Sequence, residues 1–186
     1  MVFWKGKLPL DSAKFLLHGD ELALVNEFKY LGVIITPTLS DEVEMAKRMR
    51  SIYASGNALI SNFRKCDVHC KIQLFISFCY NIYCCATWAS FRMTSYGKVK
   101  VAHNDIFRSL MNVPRWESAS TLFAQYAVKN LDALVRTAMH SLMTRLLQSK
   151  NRLVQAVCRS EVRTHSLIWH RWAVALGVQW NTIQLY

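Results

Sequence analysis

The chain has 186 residues, of which 52% are hydrophobic and 19% charged, and a formal net charge of +11. That composition excludes a disordered polypeptide and suffices for one core of ordinary size, or for one domain plus a fragment of another. The charge is unevenly placed. Residues 1–46 hold four bases (Lys5, Lys7, Lys14, Lys29) against seven acids (Asp11, Asp20, Glu21, Glu27, Asp41, Glu42, Glu44), whereas residues 47–186 hold 19 bases and 5 acids, an excess of +14. Such an excess is a footprint for a polyphosphate partner, because each neutralised phosphate releases counterions. A merely solvated basic face accounts for it equally well.

In chain order, Val2-Phe3-Trp4 is a short apolar run. The segments 15–18 and 21–25 then flank Gly19-Asp20, a two-residue hairpin signal with Gly first. From Phe28 to Thr36 aromatic and β-branched residues dominate and Pro37 ends the run, which predicts one strand with Gly32 as a point of close approach. Three or four strands with nothing to cover their second face make a poor domain; they read as the edge of a larger sheet.

Beyond Pro37 the pattern becomes helical. Thr38 and Ser40 are candidate N-caps, and Asp41, Glu42 and Glu44 fall in a first turn, where the helix dipole favours acids. Met45, Met49, Ile52, Gly56, Leu59 and Phe63 then share one stripe, with Lys47, Arg50 and Lys65 predicted to lie in solvent on the other side. A mostly buried helix is expected from about Asp67 to Trp88, and a third from about Tyr96 to Asn112, ended by Pro114 and carrying Lys98, Lys100, His103 and Arg108. After Asn130, the spacing of Leu131, Leu134, Val135, Ala138, Met139, Leu142 and Leu146 is that of a bundle stripe. The segment 153–158 reads as one more short helix, whereas Trp169, Trp172 and Trp180 show no period. The expected fold class is α+β, mainly α: a β-hairpin and edge-sheet fragment over residues 1–37, a basic helical bundle over 38–150, and a C-terminal helix with an irregular tail over 151–186.

Six cysteines (Cys66, Cys70, Cys79, Cys84, Cys85, Cys158) lack framework spacing, and the N-terminus has no apolar leader core, so reduced thiols inside the cell are expected. Ile72 to Phe91 is uncharged over 20 residues, the length of a membrane span, but Gln73, Ser77, Asn81, Thr87 and Ser90 recur through it and favour a buried core helix. Two clusters, Cys66-Asp67-Val68-His69-Cys70 and Cys158 with His165 and His170, contain metal-ligating types. Neither has the paired knuckles of tetrahedral zinc, and no cofactor is called for. No nucleophile elbow, phosphate loop or dinucleotide fingerprint occurs.

The strand Phe28-Lys29-Tyr30-Leu31-Gly32-Val33, with Ile35-Thr36, resembles the Phe-Lys-Tyr-Leu-Gly element of reverse transcriptases from non-LTR (LINE-type) retrotransposons. Downstream, Tyr53, Gly56-Asn57, Leu59, Phe63, Cys66, Lys71, Leu74-Phe75, Cys79 and Trp88 are similar to the family's thumb region, and residues from Tyr96 through Ser120 to the helical stretch beyond it. The resemblance implies a primer-grip-like strand (Phe28, Lys29, Tyr30, Leu31, Gly32) and backbone contacts to a primer/template duplex from Lys47, Arg50, Lys65, Lys98, Lys100 and Arg108. The family's palm holds two divalent metals on an Asp-Asp turn. No Asp-Asp dipeptide occurs here, and Val2-Phe3 resembles the strand after that turn, which implies a chain that starts beyond the chemistry. The expectation is a non-catalytic fragment that binds an RNA/DNA duplex or other nucleic acid without sequence preference, acts in the cytoplasm or nucleus, and pairs with the rest of a reverse transcriptase. The competing class is a helical protein-interaction or structural protein with no nucleic-acid role; a membrane-associated protein using residues 72–91 is the weaker third.

Overall fold

Asp41 marks the passage from strands to helices in this protein, for which a computed structural model describes residues 1–3, 14–161 and 165–177. Trp4 and Trp180 lie outside the described residues. Before Asp41 there are two separate antiparallel hairpins. In the first, β1 (Leu16–Leu17) pairs with β2 (Asp20–Glu21), Leu17 opposite Asp20. Its turn is His18-Gly19, both at positive φ (54° and 93°), one residue earlier than the Gly19-Asp20 turn read from the sequence. In the second, β3 (Phe28–Tyr30) pairs with β4 (Val33–Ile35), Tyr30 opposite Val33. The single strand expected over residues 28–36 is thus folded back on itself. Leu31 and Gly32 take φ of 46° and 83°, the positive pair that a tight hairpin needs and that Gly32 meets without steric cost.

Asp41 also ties the start of the helical region to a distant loop. Its carboxylate accepts the backbone N–H groups of Ala89 and Ser90, each at 2.8 Å, and its own N–H donates to Ser90 O. Burial outweighs these bonds and raises its pKa above the ordinary carboxylate value. The N-cap position falls at Asp41 rather than at Thr38 or Ser40; Thr36 Oγ1 accepts from Ser40 N, and Ser40 Oγ accepts from Glu42 N at 3.4 Å.

Helix α1 (Glu42–Phe63) buries Glu44, Met45, Ile52, Gly56 and Leu59. α2 (Val68–Cys79) is capped by Asp67, which accepts from Cys70 N, and stops at Cys79 rather than running to Trp88. Cys84, at a left-handed φ of 61°, and a short 3-10 turn at Cys85–Thr87 carry the chain to the fully buried Trp88. α3 (Met93–Leu110) runs parallel to α1. Ser95 Oγ donates to Glu42 at one end, Arg64 Nε donates to Asn112 Oδ1 at 3.2 Å at the other, and Gly56 lies against Ile106 between them.

A short helix α4 (Ala119–Gln125), capped by Ser118, is too brief to show a period in the sequence. α5 (Leu131–Leu147) begins at Asn130, whose side chain accepts from Ala133 N, and buries Leu131, Val135, Met139 and Met143. α6 is Arg152–Arg159 and α7 is Leu167–Leu176. Although Trp169 and Trp172 show no period in the sequence, they belong to α7, which docks on α5: Trp172 Nε1 donates to Met139 O at 3.0 Å, and the two indoles meet edge to face. Seven α-helices and two small strand pairs among the described residues make the fold α+β and mainly α. No helix among these residues is long and apolar enough to cross a membrane.

Candidate nucleic-acid interface

Between Glu44 and Asp67 the chain has no acidic residue. Since the apolar stripe of α1 faces α2 and α3, its outer side is left with Arg50, Ala54, Asn57, Ala58 and Ser61, followed by Arg64 and Lys65 in the turn after the helix, all exposed. At 1.5 Å per residue, Arg50 lies about 20 Å from the end of α1 at Phe63, with Lys65 beyond it. From α3, Lys98 is also exposed and lies close enough to Glu42 to help hold that carboxyl below its ordinary value, after the hydrogen bonds from Ser95 and Arg92. Lys98 thus stands near the start of α1, whereas Arg64, which donates to Asn112, stands at its far end.

The other three bases named from the sequence are occupied. Lys47 was expected in solvent, but its side chain is only 29% exposed: Nζ donates to Gly32 O at 2.5 Å and lies 3.5 Å from the buried carboxylate of Glu44. The correction follows from helical geometry, since a residue three after Glu44 reaches the same side as the hairpin that packs there. Lys100 pairs with Asp132 at 2.6 Å across the α3–α5 contact, and Tyr96 Oη donates to the same carboxylate at 2.8 Å. Burial alone would push Asp132 up; the bonds from Lys100 and Tyr96 outweigh it and hold the carboxyl below its ordinary range. Arg108 is half-buried, 3.2 Å from Asp105, and donates to Glu117 O at 2.9 Å; the opposite oxygen of Asp105 holds Arg115 at 2.7 Å.

Of the primer-grip-like residues, Phe28, Lys29, Tyr30 and Leu31 are exposed, Leu31 at 73%, while Gly32 is half-buried. The hairpin that carries them is braced from α1. Glu44, 1% exposed, accepts Ile34 N at 2.9 Å and pairs with Arg48 at 2.6 Å; Arg48 also donates to Gly32 O at 3.3 Å and sits over the Tyr83 ring. Glu44, Arg48 and Tyr83 are the functional supports that sequence reading missed. The i,i+4 spacing of Glu44 and Arg48 was the signal available, and it does not reveal that the acid is buried.

The six cysteines form no disulfide among the described residues, and burial pushes the thiols of Cys79 and Cys85 up to about 11. No group of three or more His, Cys, Asp or Glu side chains among the described residues is placed to hold a metal ion. No family model matches the chain, and comparisons with curated proteins and with solved structures find no match either.

Proposed function

We propose that this chain binds the sugar–phosphate backbone of a nucleic-acid duplex without catalysing its synthesis, as the thumb-side fragment of a LINE-type reverse transcriptase. The observation that carries the reading is the acid-free outer face of α1, where Arg50 and Lys65 stand exposed, with Lys98 exposed on the neighbouring α3 and none of the three in an ion pair among the described residues. Contacts from such a face go to phosphate and carry no sequence information. The exposed ring faces of Phe28 and Tyr30, on a hairpin fixed to the start of the same helix, supply a surface on which a strand end can stack. Its setting is the cytoplasm or nucleus, and its further partner is the remainder of a polymerase.

The test is a titration of the full chain with an RNA/DNA hybrid at several salt concentrations. Affinity should fall steeply and linearly on logarithmic axes, by about 0.9 in slope per phosphate neutralised, and by the same amount for unrelated sequences. Binding that is flat with salt contradicts the reading.

One observation favours a protein-interaction role instead. Phe15, Leu16, Leu17, Leu22 and Leu24, in and beside the first hairpin, are each between 45% and 65% exposed, an apolar surface of the sort that protein partners cover. Under that reading a partner binds with little salt dependence.

A further inference from the structure

A groove of about 350 Å³ opens between α3, α5 and α7. Its floor is apolar, built from residues such as Met139 of α5, and the aromatic pair Phe91 and Tyr96 forms one wall, their rings stacked 5.6 Å apart. Two guanidiniums reach it from different helices, Arg136 of α5 and Arg171 of α7. Arg171 lies over the Phe91 ring, 3.9 Å from its centroid, and its Nη1 donates to Met93 Sδ at 4.0 Å, which leaves the other donors at the edge of its planar fork for a further acceptor.

The charge in this groove is not balanced from within. Asp132 is the one acid among the described residues that lines it against two guanidiniums; Arg136, a turn further along α5, acts on it electrostatically, while its hydrogen bonds go to Tyr96 on Oδ1 and Lys100 on Oδ2. Asp41 is near enough for Arg171 to act on it, although it forms no ion pair with it; its bonds from the backbone at Ala89 and Ser90 both fall on Oδ2. Neither Arg136 nor Arg171 forms an ion pair among the described residues. A concavity of this volume, apolar beneath with a few convergent polar groups at its rim, has the usual form of a small-molecule site.

We propose that the groove between α3, α5 and α7 binds an organic anion with a flat apolar body, its carboxylate or phosphate held by Arg136 and Arg171 and its body laid over Met139 beside Tyr96. The guanidinium forks supply charge-assisted hydrogen bonds to the head group, and the apolar floor rejects a small hydrated anion that has nothing to place there.

Calorimetric titration of the full chain with 2-naphthoate, with its neutral counterpart 2-naphthalenemethanol and with inorganic phosphate tests this. Naphthoate should bind saturably at one site, the alcohol about tenfold or more weaker, and phosphate no better than the alcohol. Arg136→Gln, a change at an exposed position, should weaken naphthoate about tenfold without changing the melting temperature, and Arg171→Met, which keeps an apolar stem over Phe91, should do the same. If Arg171→Met fails to fold, Arg136→Gln decides alone. Absence of naphthoate binding, equal affinity for acid and alcohol, or unchanged affinity in Arg136→Gln would overturn the proposal.

Discussion

His103 shows how little a residue's type says about its task. It sits fully buried on α3, stacked on Phe123 at 5.3 Å and packed against Phe75, and neither ring nitrogen has a hydrogen-bond partner among the described residues. The ring therefore serves as an aromatic core residue. Burial disfavours its charged form and lowers its pKa to about 4. The unfolded chain, with an ordinary histidine pKa of about 6.5, binds the proton that the folded chain refuses. The contribution of His103 should thus be constant above about pH 6.5 and decline as the pH falls from there toward 4. His103→Phe should change stability at neutral pH by no more than about 1.5 kcal/mol and flatten that acid limb, as read by urea titration at a series of pH values. A variant whose acid limb matches the parent's would show that other groups, such as Asp132, set it. In the sequence His103 stands among the bases of α3; its burial depends on which face meets Phe75 and Phe123, which come from other helices.

At the scale of elements, the parallel crossing of α1 and α3 rests on Gly56. A Cβ built there would stand 2.6 Å from Ile106 Cδ1 and 2.7 Å from its Cγ1. Gly56→Ala gains up to about 1 kcal/mol of helix propensity but overpacks the crossing, and a net loss of roughly 1–2 kcal/mol is expected. Adding Ile106→Ala should recover part of that loss in a double-mutant cycle; strict additivity would mean that the helices do not press on each other there. The hairpin clamp permits a second prediction. Replacing Glu44 by Gln leaves Arg48 without its carboxylate in a half-buried site, at a cost of about 3 kcal/mol. Hydrogen exchange at the Ile34 amide, which donates to Glu44, should accelerate more than exchange at Leu131 to Leu147. Equal acceleration would make the clamp part of the global core.

Elements were legible in the sequence where local chemistry decides them. Asn130 and Asp67 cap α5 and α2 through their own side chains, and the stripe of α5 has a regular period, so those starts were readable. The end of α2 was not, because neither Pro nor Gly stands between Cys79 and Trp88 and the break rests on Cys84 in a left-handed conformation. The turn at Leu31-Gly32 was concealed by strand-forming residues on both sides. In the candidate interface, Arg50 and Lys65 are exposed, as their spacing predicts; Lys98, which spacing assigns to no face, is exposed too. Lys47, predicted in solvent, is half-buried, and the partners of Lys47, Lys100 and Arg108 (Gly32, Asp132 and Glu117) could not be read from spacing because tertiary packing brings them there.

For the whole molecule, five of the acidic residues serve as internal ties, while bases such as Arg50, Lys65 and Lys98 stand exposed. Asp41, Glu42, Glu44, Asp105 and Asp132 each bind other parts of the chain, so the net positive charge is expressed at the surface, where long-range attraction to phosphate acts. Exposed charges of this kind contribute only about 0–1 kcal/mol to folding, which separates a test of binding from a test of stability. The most direct measurement is the salt-dependent affinity of the variant Arg50→Gln, Lys65→Gln, Lys98→Gln for an RNA/DNA hybrid beside that of the parent chain. Affinity should fall by a similar factor for every sequence, and the salt slope should become shallower by up to about 0.9 for each phosphate no longer neutralised, with the melting temperature nearly unchanged. A folded variant that keeps both the parent's affinity and its slope would contradict nucleic-acid binding by this face.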